Sequence, residues 1–104
     1  MSRPVKLTSE LQAKLCSAIA EGNYYETACK HAGIDYSTFR KWILRGEKGK
    51  EGDRFFEFCE AIKKAESEAE MKCTQVILKS AAKNWQAAAW WLERRYPARW
   101  GREE

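Results

Sequence analysis

One histidine and four cysteines, with no CxxC pair among them, leave a structural zinc site short of ligands at usable spacing. Cys16, Cys29, Cys59 and Cys73 lie far apart, each inside an apolar helical pattern, and read as reduced core thiols of an intracellular protein. No run of about 18 apolar residues offers a membrane span. The opening MSRPVKLTSEL has no apolar stretch fit for a signal peptide, so a cytosolic location and no membrane partner are expected. A nucleotide-hydrolysis motif is missing as well. In GEKGKEGD (46–53) Lys50 is followed by Glu51 where a phosphate loop needs Ser or Thr, and Leu44 stands where its first glycine belongs. With no nucleophile–base pair and no metal cluster, the expectation is a non-enzyme without catalytic residues, metal or cofactor. Strong charge of one sign is also lacking: 19 Lys+Arg against 15 Asp+Glu give +4, most of it before residue 53. That excess alone establishes no nucleic-acid partner.

What is present is helical pattern. In TACKHAGIDYSTFRKWILR (27–45) two short amphipathic segments meet at Gly33-Ile34-Asp35. Glycine there supplies the backbone freedom of a tight turn, and Asp35 is placed to cap the next helix. Ala28, Ala32, Ile34, Phe39 and Trp42 are the set a helix-turn-helix buries between its helices. Tyr36, Ser37, Thr38, Arg40, Lys41 and Arg45 are then left to face a duplex. Arg40 has the geometry to pair with guanine or clamp a phosphate, while Lys41 and Arg45 suit phosphates. Tyr24, Tyr25, Thr27 and Lys30, at the entry to and along the preceding helix, are further phosphate-contact candidates. The plain alternative is a solvated polar face on a small helical domain, with one of the two tyrosines in the core.

Around this unit the chain divides in two. Residues 1–7 read as a frayed arm in which Arg3 and Lys6 are able to touch a backbone phosphate. Ser9 and Gln12 form a capping box for a first helix that ends near Gly22. A third helix spans about 36–45, and the glycine-rich charged loop 46–53 reads as a hinge. From Asp53 the periodicity predicts a helix to about Lys83, roughly 45 Å long at 1.5 Å per residue. Its seam is Phe55, Cys59, Ile62, Ala69, Cys73 and Val76, interrupted by Glu66, with Glu60–Lys64 and Glu68–Lys72 as outward pairs. The last helix, WQAAAWWLERRY (85–96), stops at Pro97. Apolar surface around so much of it predicts an oligomer interface built on Trp85, Trp90, Trp91 and Leu92. Arg94, Arg95, Arg99 and Arg102 make a basic end. The expected fold is therefore all-α. Its parts are a three-helix helix-turn-helix domain at 1–52 and, at 53–104, a long helix with a short Trp-rich one forming a hairpin for oligomerisation or partner binding.

GNYYETACKHAGIDYSTFRKWILRGE, the long charged helix and the closing AAAWWLERRYPARWG together resemble the small terminase subunits of tailed bacteriophages. The resemblance covers nearly the whole chain after about residue 8, and the ending carries most of its specificity. It implies a non-catalytic factor in the bacterial host cytoplasm. Such a factor binds double-stranded viral DNA for genome packaging, assembles as a homo-oligomer, in that family often a ring, and recruits or regulates a large terminase subunit with ATPase and nuclease activity. The competing reading keeps the DNA reader but makes the chain a transcriptional regulator or a transposase-derived protein. A third makes it a protein-interaction module.

Overall fold

The computed structural model describes residues 6–101. They form six helices: α1 (Ser9–Ala20), α2 (Tyr25–Ala32), α3 (Tyr36–Glu47), α4 (Arg54–Ala81), α5 (Trp85–Arg95) and α6 (Pro97–Trp100). Among them there is no strand, and no helix is long and apolar enough to cross a membrane. The chain separates into two compact units, residues 1–69 and 70–104, with α4 running through the boundary. Arg3 and Arg102 lie outside the described residues.

Capping chemistry sets the short helices of the first unit. Thr8, in extended conformation, starts α1 by accepting the Leu11 N–H on its hydroxyl at 3.1 Å. The cap is thus Thr8 and not Ser9. Two adjacent hydroxyls have the same chemistry, and only the backbone that has left the helix can use it. Gln12 is consequently no capping-box partner; its carbonyl accepts from Arg54 at 2.6 Å and ties α1 to the start of α4. Leu7 packs against the core, and residues 1–5 of the expected arm lie outside the described residues. Gly22, with φ 102°, closes α1: its N–H reaches the Ile19 carbonyl at 2.9 Å and the Asn23 N–H reaches that of Ala18 at 3.3 Å. Gly33 repeats this at the end of α2, with φ 82° and the Ile34 N–H on the Cys29 carbonyl. Asp35 occupies the cap position of α3 without a side-chain capping bond, leaving its charge to act on the helix dipole.

The core of the first unit takes Leu15, Ala18 and Ile19 from α1, Ala28 and Cys29 from α2, Phe39 and Trp42 from α3, and Phe58, Ile62 and Ala65 from α4. Aromatic edges lock it: Phe58 stands edge-on to both Phe39 and Trp42 at 5.7 Å between centroids, and Tyr25 lies 4.9 Å from Phe39. Such pairs contribute about 0.5–1.5 kcal/mol each beyond burial. The first half of α4 is therefore a fourth core helix, and the compact unit runs past Gly52. The seam differs accordingly. Phe58 and Ala65 are buried where the pattern of threes and fours passed over them, and Glu66 lies on the surface as a hydrogen-bond acceptor. Gly46, read as the first residue of a hinge, is buried in the last turn of α3. A Cβ there would stand 2.3 Å from the Phe55 carbonyl oxygen, so glycine permits the close approach of α3 and α4. Asp53 does cap α4, accepting the Phe55 N–H at 2.9 Å. The ion pair formed on α4 is Glu60–Lys63 at 3.9 Å, one turn position short of the expected Glu60–Lys64.

The second unit contains the last turns of α4, then α5 and α6. Asn84 caps α5 by accepting from the Gln86 N–H at 2.9 Å. Tyr96 ends α5, and Pro97 opens the short turn of α6 at a position where its missing N–H costs nothing. No described residue of this unit is buried. Met71, Val76, Leu78, Trp85, Trp90, Tyr96 and Trp100 are all exposed. Cys73 is exposed too, unlike buried Cys29 and Cys59 and half-buried Cys16, so the expectation of four core thiols holds only in the first unit.

Candidate nucleic-acid interface

Helix α3 divides its side chains sharply. Phe39 and Trp42 are buried and Ile43 is packed against the core, which turns Ser37, Arg40 and Lys41 outward, all exposed. At about 100° per residue these three share one side of the helix. Leu44, half exposed, falls in the middle of that side. Nothing in the apolar spacing singled Leu44 out, because an isolated leucine next to core positions reads as core. Its exposure between hydroxyl and basic groups suits apolar contact with a thymine methyl.

Tyr36 begins the same face. The Arg40 guanidinium lies 5.9 Å from its ring centroid, and Tyr36 in turn stacks on Phe39 at 6.4 Å. The arginine is thus partly held in place from beneath by an aromatic anchored in the core. Thr38 is half-buried: it lies nearly opposite Arg40 around the helix but three and seven residues before Lys41 and Arg45, on their flank of the face. Arg45 is exposed but its guanidinium sits over the Phe55 ring at 4.2 Å, at the edge of the face nearest α4. Lys30 is exposed in the last turn of α2.

Tyr24 is 85% exposed and stands elsewhere, on an open groove of about 550 Å³. Tyr25 and Tyr36 also line this groove, together with Glu26 and Glu66. The Tyr25 hydroxyl donates to the Glu66 carboxylate, linking α2 to α4. Burial, first, and the neighbouring Glu66 carboxylate push the Tyr25 phenol well above its ordinary range, so it stays a neutral donor. Two carboxylates make this wall a poor place for phosphate, although Tyr36 joins it to the face of α3. Of the two tyrosines that follow Asn23, Tyr25 is the one packed against the core and Tyr24 the one in solvent.

The cysteines stay out of this chemistry. Burial raises the Cys29 thiol to about 11, with Glu26 adding to it, and burial likewise raises Cys16 and Cys59. Among the described residues no group of three or more His, Cys, Asp or Glu side chains is arranged to hold a metal ion.

The four expected interface residues of the second unit lie on α5. Trp85 is 75% exposed and Trp90 is exposed, while Trp91 and Leu92 are half-buried. Arg94 lies over the Trp90 ring at 5.2 Å, and Trp91 stands edge-on to Tyr96 at 5.6 Å.

No protein-family model, curated protein or solved structure matches the chain.

Proposed function

We propose that the chain is a DNA-binding, non-catalytic packaging factor of the small terminase type. On this reading α2, the Gly33 turn and α3 are a helix-turn-helix, with α3 entering the major groove. The observation that carries it is the two-sidedness of α3: Phe39 and Trp42 fully committed to the core, Ser37, Arg40 and Lys41 fully outward. Arg40 reads or clamps, steadied by Tyr36; Lys41, Arg45 and Lys30 neutralise phosphates; Leu44 adds apolar contact. Thr38, half-buried on the flank of Lys41 and Arg45, and Tyr24, on the carboxylate-lined groove, are the weaker candidates of the set.

The second unit supports the assembly half of the proposal. A unit with exposed Val76, Leu78, Trp85, Trp90 and Trp100 and no buried residue among those described leaves large apolar side chains in water. Burying them against further copies of the chain removes that cost. One reader with a handful of basic contacts binds weakly and with steep salt dependence, and several on one assembly raise the effective concentration of the rest. The assembled readers then present viral DNA to a large terminase subunit in the bacterial cytoplasm.

The test is binding of the purified chain to a duplex from a phage packaging site and to a scrambled duplex of equal length, across a salt series. Preference for the first with a steep salt slope is expected. Equal absence of binding to both at low salt would remove the proposal. A dimer footprint on a palindromic promoter would favour a transcriptional regulator instead.

A further inference from the structure

The groove beside α2 is built for a cation. Tyr24, Tyr25 and Tyr36 supply aromatic surface, Ile19 and Ala69 an apolar floor, and Glu26 and Glu66 the negative charge. Glu66 is held in position by the Tyr25 hydroxyl, so one carboxylate is oriented before any guest arrives. Guanidinium groups favour this combination, stacking on aromatic rings while their edges donate to carboxylates. The chain itself carries the matching chemistry at the end of the second unit. Arg94, Arg95 and Arg99 are exposed there, interleaved with exposed Trp90, Tyr96 and Trp100. A phosphate-bearing guest meets like charge in the groove, and a neutral one leaves the negative charge of Glu26 and Glu66 uncompensated.

We infer that the Tyr24–Tyr25–Tyr36 groove of one copy receives the arginine-bearing α5–α6 segment of a second copy. The inference rests on the reading of the chain as self-associating and names the surface through which one contact is made. The guest arginine lies against Tyr24 and donates to Glu26 and Glu66, while an aromatic neighbour covers the apolar floor. The groove and the arginine segment are different residues of the chain, so the contact is either exchanged reciprocally in a dimer or repeated head-to-tail. Repetition of such a contact gives a ring or a filament according to whether its rotation closes.

Sedimentation velocity of the full chain over a concentration series tests this, with Tyr24→Ala, Glu26→Arg and Arg99→Glu compared with the unaltered chain and each checked for helix content. All three positions are exposed, and Tyr24→Ala serves where a charge reversal perturbs folding. Each variant is expected to associate about tenfold more weakly. Mixing Glu26→Arg with Arg99→Glu restores association beyond either alone through the swapped pair. An unaltered chain that stays monomeric throughout would overturn the inference together with the self-association reading. An unaltered chain that associates while Tyr24→Ala and both charge variants match it would overturn the groove contact alone. Loss in the single variants without recovery on mixing would also overturn the pairing.

Discussion

Gly46 and Cys29 carry more of the first unit than their size suggests. At Gly46 an added methyl group meets the Phe55 carbonyl oxygen and the Cys59 Cβ, neither of which swings aside easily. Gly46→Ala is expected to cost about 1–3 kcal/mol through overpacking, read as a lower urea midpoint with an unchanged slope. Cys29 gives a pH dependence. Its thiol titrates at about 11 in the folded chain against an ordinary 9.0, so the folded state holds the proton more tightly than the unfolded one. The associated stability is complete below pH 9 and is lost as pH rises through about 11, amounting to roughly 2–3 kcal/mol. Urea midpoints should fall over that window, and Cys29→Ala should flatten the fall. A midpoint equally steep in the variant would assign the loss to Tyr25 or the other thiols. At this scale the sequence was legible wherever backbone conformation demanded one residue: Gly22 and Gly33 stand at left-handed positions. It was not legible at the α1 cap, where Thr8 and Ser9 offer the same hydroxyl, nor at Gly46, whose role depends on a helix beyond the loop.

Helices were legible as elements and less so as partners. The end of α2 follows from the Gly33 turn and the start of α3 from the position of Asp35, whereas α2 starts after Tyr24 without a side-chain cap. The buried face of α4 did not follow from seam spacing, because a four-helix core covers a wider stripe than two helices in a coil. Phe58 and Ala65 are buried for that reason, and Val76, on the expected seam, is 65% exposed. Phe58→Ala should therefore cost about 3–5 kcal/mol. Val76→Ala should change the stability of the dilute chain by no more than about 0.5 kcal/mol. Thermal or urea unfolding at low concentration separates the two, and equal effects would contradict the division of α4 between a core half and an uncovered half. On α3, Arg40→Ala should weaken duplex binding by about 1–3 kcal/mol if its contact is to a base. Thr38→Ala, which removes a half-buried hydroxyl without charge, should weaken binding less than Arg40→Ala. Thr38 is half-buried where its neighbours Ser37 and Arg40 are exposed, a difference that the packing of α3 sets and the spacing alone does not show.

The whole molecule joins a well-packed unit to one that is not. The first has Phe39, Phe58, Leu15 and Ile62 fully enclosed, the second no buried residue among those described. Trp90→Ala and Trp91→Ala are expected to lower the order or the concentration stability of the assembly while leaving the urea midpoint of the first unit nearly unchanged. Unchanged mass and melting in both would place the interface elsewhere. The apolar surface of the Trp-rich ending was legible in its composition, and Trp85, Trp90 and Trp100 are exposed. The groove was not legible, because Tyr24, Tyr25 and Tyr36 come to line one groove with Glu66 only through the packing of α2 and α3 on α4. Native mass spectrometry of the chain, alone and with a packaging-site duplex at low salt, tests the proposal of an assembly of weak DNA readers most directly. A multimer that takes up the duplex is the predicted result; a strict monomer that leaves the duplex free would contradict it.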